Sequence, residues 1–216
     1  MSEYLTDDDR VMIIRKWWDT NGVTLIVTVV LAIAAVVGWR WYNNYIEARD
    51  LAASAVYQQY LEARQRGAKP DELAGILATM DKDYGASSYR TFTLFYRAYD
   101  AVGSDDLPKA TQYLETAVKD AGDAGLRDIA RLRLARLEVQ VKNYDAALAT
   151  LRAVSGDGFR SYAAELKGDI LLDQGKRDEA LQAYQAAKAA ADPGEPQPVL
   201  DMKIVDLAKP NAAPAP

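Results

Sequence analysis

Hydrophobic and polar positions divide the chain into two regimes. From Val23 to Gly38 no side chain is charged. Beyond Tyr42, apolar residues recur every three or four positions among Ala, Leu, Glu, Gln, Lys and Arg, the period of an amphipathic helix. No convincing run alternates with a period of two. The pattern predicts an all-α chain, with helices at roughly 43–66, 71–82, 87–103, 106–121, 125–142, 144–153, 159–174, 177–191 and 199–208. Breaker clusters separate most of them: Gly67 to Pro70, Gly103 to Asp105, Gly122 to Gly125, Gly156 to Gly158, and Pro193 to Pro196.

The uncharged stretch is long enough to cross a bilayer. Gly22 to Tyr42 makes about 31 Å of helix at roughly 1.5 Å per residue, against a hydrocarbon core of roughly 30 Å. Trp17 and Trp18 precede it, and Trp39, Trp41 and Tyr42 follow it. Amphipathic rings favour the headgroup layer, so these five residues read as belts at the two faces of a lipid bilayer. Two alternatives stand beside this reading. A soluble core helix passes the length test but seldom excludes polar residues on every face. A cleaved export signal would be cut near Ala32-Ile33-Ala34, yet the apolar run continues past that point. The residues before the span also carry more acids than bases, unlike a basic leader. Read as an anchor, the chain divides into an N-terminal tail (1–22), a transmembrane helix (23–42), an exported helical repeat domain (43–208) and a disordered Pro/Ala tail (209–216). Arg10, Arg15 and Lys16 before the span, against Arg40 and Arg49 after it, favour a cytoplasmic N-terminus only slightly.

Within the helical body the elements come in pairs, and small residues mark a repeat. Ala98, Ala135 and Gly168 are each followed twelve residues later by alanine, at Ala110, Ala147 and Ala180. The offsets between units are 37 and then 33. Two antiparallel helices approach closely only where both present small side chains, which is the logic of tetratricopeptide units. The Trp usual in such repeats is missing, and Arg131 and Glu138 stand where apolar residues are usual, so the array is degenerate. Chance recurrence in an Ala-rich chain is the alternative. Stacked units of this kind form an α-solenoid with a concave groove. On this register Phe92, Phe95 and Tyr99 share one helix face, with Arg136 and Asp169 at equivalent positions in later repeats. These five form a possible partner groove, although aromatics at that spacing also serve as core. Gly22, Ala32, Ala34, Ala35 and Gly38 offer small faces for packing on other membrane helices, or simply meet lipid.

Composition narrows the chemistry. A net charge of −5 gives no basic footprint for nucleic acid. The chain has no His and no Cys, which removes the common nucleophile pairs, His/Cys zinc sites and disulfides. No catalytic, metal or cofactor site is expected. An enzyme built on Asp/Glu pairs would need convergent carboxylates in a pocket.

The chain resembles the ancillary SecYEG translocon subunit family (YfgM-like). The likeness rests on Trp17-Trp18, Asn21-Gly22 and Gly38-Trp39-Arg40-Trp41-Tyr42. It continues through Leu132 to Val141, Asp145 to Leu148, Thr150-Leu151, Gly156 to Gly158, Gly168-Asp169, Gly175-Lys176 and Met202-Lys203-Ile204. It spans about residues 1 to 207, and the Pro/Ala tail departs from the pattern. The resemblance implies a single-pass protein of the bacterial inner membrane with its N-terminus in the cytoplasm and its repeats in the periplasm. It also implies association with the SecYEG translocon and a PpiD-type membrane-anchored chaperone, and a non-enzymatic role in handing over translocating polypeptides. A structural tether or scaffold of another envelope assembly is the alternative.

Overall fold

A computed structural model describes residues 7–194 and 196–208. Among them every regular element is a helix, from α1 (Asp7–Gln65) and α2 (Pro70–Asp83) to α9 (Pro198–Ala208). The proposed Pro/Ala tail at 209–216 lies outside the described residues.

The chain forms two units, residues 1–52 and 53–216. The first consists of α1 up to Ala52. Residues 7–22 belong to the same helix as the apolar stretch. Apolar side chains from Val23 to Val37 are exposed. The Thr28 hydroxyl donates to the Thr24 carbonyl at 2.8 Å, so this polar group is satisfied within the helix. Gly22 lies under the Trp18 ring, where an added Cβ would sit 3.1 Å from a ring carbon. Among the described residues this is the one helix long and apolar enough to cross a membrane.

The second unit is a series of helical hairpins. After the end of α1 and α2 come α3 (Ser88–Gly103) and α4 (Leu107–Asp120), α5 (Ala124–Gln140) and α6 (Tyr144–Arg152), and α7 (Asp157–Asp173) and α8 (Arg177–Ala190). All four hairpin turns are built alike. Gly67, Asp105, Lys142 and Gly175 take positive φ of 68°, 59°, 59° and 75°. The next amide in each case donates to a carbonyl five residues back: Ala68 to Ala63, Asp106 to Ala101, Asn143 to Glu138 and Lys176 to Leu171, at 2.8–2.9 Å. This closure satisfies carbonyls that the helix end would leave orphaned. Asp105 and Lys142 adopt a conformation that favours glycine.

Seven residues before each turn stand Tyr60, Ala98, Ala135 and Gly168. Ala98, Ala110, Ala135, Ala147, Gly168 and Ala180 are all buried. At Gly168 the facing ring of Tyr184 leaves no room, and an added Cβ would meet it at 2.4 Å.

Three apolar clusters follow one another along the unit. Leu94, Phe95, Leu114, Leu134 and Leu137 form the first, and Leu132, Leu151, Leu166 and Ile170 the next. Leu171, Tyr184, Leu200 and Leu207 form the last, with α9 laid on α8 as a cap. Polar contacts join neighbouring hairpins. Asp128 of α5 is 1% exposed and accepts from the Gly156 and Ser155 amides at 2.8 and 3.1 Å, tying the loop before α7 to the preceding repeat. Burial opposes its charge, but the Gly156 amide, Arg131 and the Ser155 amide outweigh it and hold the carboxyl below its ordinary range. α7 opens at Asp157, two residues before the pattern predicts and directly after the loop that Asp128 holds.

Candidate functional site

The first helices of successive hairpins, α3, α5 and α7, are neighbours. Along α3, positions 92, 95/96 and 99 recur at three and four and share one face. Phe92 is half-buried, tilted against Tyr57 with ring centres 5.9 Å apart and edge-on to Tyr89 at 6.3 Å. Phe95 is 7% exposed, while Tyr99 is 74% exposed. Burial, then the neighbouring Tyr96, pushes the Tyr57 phenol up to about 12, so it stays protonated at neutral pH.

Two adjoining depressions open on this face. One, of about 370 Å³, is lined by Tyr57, Phe92, Phe95, Tyr96, Tyr99 and Arg133. The other, of about 450 Å³, shares Phe95, Tyr99 and Arg133 and adds Arg136, Leu137 and Gln140 among its walls. The Arg133 guanidinium lies over the Phe95 ring, 4.2 Å from its centre. At that distance a cation gains from the ring quadrupole. Burial and, next, the charge of Arg136 lower the proton affinity of Arg133. What results is an open aromatic groove with two cations on one wall, fit for contacting a side chain or an extended segment rather than for enclosing a small substrate.

Four of the five expected groove residues, Phe92, Phe95, Tyr99 and Arg136, are brought together here. Asp169 is not. Its carboxylate accepts from the Tyr184 hydroxyl at 2.7 Å and from Lys203 of α9 at 2.6 Å, and Lys203 also donates to Glu165. The capping helix thus occupies the last repeat's equivalent of the groove position. Tyr57, Tyr96 and Arg133 belong to the site but lie outside the set expected from sequence. Tyr57 and Tyr60, three apart at the end of α1, carried the signal for the first. For Arg133 it was the spacing of Arg131, Arg133 and Arg136 among the leucines and alanines of α5.

The five aromatics expected at membrane interfaces, Trp17, Trp18, Trp39, Trp41 and Tyr42, are all exposed. Trp41 stacks on Tyr45 with ring centres 6.1 Å apart. No group of acids that could hold a metal ion occurs among the described residues.

Comparison with known proteins agrees with this architecture. The tetratricopeptide repeat-like domain family matches residues 15–209. A protein of Escherichia coli (strain K12) called ancillary SecYEG translocon subunit is 32% identical over 96% of this chain and 99% of its own length. Proteins of the same name from Haemophilus influenzae (27%) and Neisseria gonorrhoeae (26%) align over 96% of this chain and all of theirs. No solved structure matches. The chain belongs to the ancillary SecYEG translocon subunit family, with a tetratricopeptide repeat-like domain.

Proposed function

We propose that this protein is a non-enzymatic interaction module anchored in the bacterial inner membrane. It associates there with the SecYEG translocon and a PpiD-type chaperone and contacts translocating polypeptides. The observation that carries the reading is the pairing, in one chain, of a membrane-length apolar segment with a repeat unit that leaves an aromatic groove open. The name shared by its relatives supplies the translocon.

In this reading residues 23–42 span the bilayer, the Trp and Tyr belts settle at its two faces, the N-terminus is cytoplasmic and the repeats are periplasmic. Tethering raises the local concentration of the groove near the channel exit to the millimolar range typical of short linkers. Contacts too weak to form in solution then suffice. Nothing in this mechanism calls for a nucleophile or a metal.

In-cell photocrosslinking from Tyr99 tests it. Adducts with SecYEG subunits, with a membrane-anchored periplasmic chaperone or with newly exported chains are expected. Adducts confined to envelope assembly proteins unrelated to export would overturn the reading in favour of a tether.

A further inference from the structure

The groove has a charge character that its role as a contact surface does not require. Its two depressions together are lined by aromatic, aliphatic and amide side chains plus Arg133 and Arg136, and by no carboxylate. Several other arginines of α1, α3 and α5 are paired: Arg64 with Asp100, Arg90 with Asp81 and Asp120, Arg97 with Asp81, and Arg131 with Asp128. Arg133 and Arg136 meet no carboxylate among the described residues, although acids outnumber bases in the chain, 31 to 26. They lie three residues apart on one helix, so each raises the electrostatic cost of the other. Partial burial of Arg133 against Phe95 adds to that cost. A cation pair of this kind is relieved by an anion placed between the two guanidinium groups.

Resting on the reading of this groove as a peptide contact, we propose that it prefers extended segments carrying a carboxylate next to an aromatic or aliphatic side chain. The carboxylate bridges Arg133 and Arg136, and the apolar neighbour enters between Phe95, Tyr96 and Tyr99. Charge-assisted bonds of Arg to carboxylate are the stronger class of hydrogen bond and give the preference its direction. The occupant is an acidic peptide because the aromatic floor adjoins the cations directly and offers a second, apolar subsite.

The full chain in detergent micelles is titrated with two fluorescein-labelled twelve-residue peptides. One alternates Asp and Glu with Phe and Leu; the other has Asn and Gln in place of the acids. Fluorescence anisotropy is expected to show the acidic peptide binding about tenfold tighter at low salt, with the excess shrinking as salt screens it. The double variant Arg133→Gln, Arg136→Gln should abolish the excess, so that the two peptides bind it with equal affinity. Because both arginines are exposed, its far-UV dichroism and melting should match the parent, and Arg133→Lys should restore part of the preference. Equal affinity for the two peptides, or an excess that survives the double variant, overturns the inference while the contact reading stands. If neither peptide binds, the contact reading falls with it. Loss of the excess in nanodiscs containing phosphatidylglycerol would assign the arginines to lipid and would also overturn the proposal.

Discussion

The first and last hairpins share a turn and differ in almost everything the turn leads to. Gly67 and Gly175 both close with positive φ and the same backward hydrogen bond. Seven residues earlier one hairpin has Tyr60 and the other Gly168. With only a hydrogen at 168, the ring of Tyr184 comes down onto the α7 backbone and the two helices pack along their length. With a phenol at 60, α2 makes no comparable approach to the end of α1, and a depression of about 520 Å³ opens among the end of α1, α2, α3 and the start of α4. α2 is held mainly at its far end, by buried Met80 and by Asp81 bonded to Arg90 and Arg97. Its start has Pro70 in the first turn and no side-chain cap on its amides; α7 also lacks a side-chain cap, but the loop before it is held by Asp128. The same turn thus serves both a closed hairpin and an open one.

The contrast can be broken most strongly at its closed end. Gly168→Ala places a methyl against the Tyr184 ring and should cost about 3 kcal/mol, the upper range for overpacking. For a chain of this size that lowers the melting temperature by roughly 6–12 °C. A melt within about a degree of the parent would show that the ring yields freely. Asp128→Asn comes next. Replacing a buried carboxylate that accepts two amides and pairs with Arg131 should cost about 2 kcal/mol near neutral pH. The folded carboxyl titrates below its ordinary value, so its contribution is present above about pH 4 and is lost as pH falls through the folded value. The stability gap between parent and variant, followed by denaturant titration from pH 7 down to pH 3, should narrow at the acidic end. A gap independent of pH would deny the carboxylate this role. The open hairpin should respond least. Ala78→Leu adds three carbons into the depression beside α2 and should change stability by no more than about 0.5 kcal/mol. A penalty near that of Gly168→Ala would mean the first hairpin is as tightly shut as the last.

Helix positions were largely legible in the sequence, because period, breakers and the small residues at 98, 135 and 168 all point to the same hairpins. The boundary at Asp157 was not, since the loop before it is held by a carboxylate of the preceding repeat that no local pattern reports. The first hairpin escaped the repeat for a related reason: a search for small residues passes over Tyr60, although the turn after it is the same. Helix-face spacing was enough to place Phe92, Phe95 and Tyr99 together. Asp169 shows the limit of that logic, because register predicts a position and not whether α9 will cover it with Lys203. Arg133 was harder to single out, since one arginine among the four of α5 reads as a solvated face until its ring partner Phe95 is known.

Gly168 and Tyr184 fit as key and lock, and neither can change alone without penalty. A lineage that gained a methyl at the first site would be pressed to shed the ring at the second, losing with it the hydroxyl that Asp169 receives. Paired drift at these two positions, rather than at either one, is the signature this hairpin would leave in its descendants.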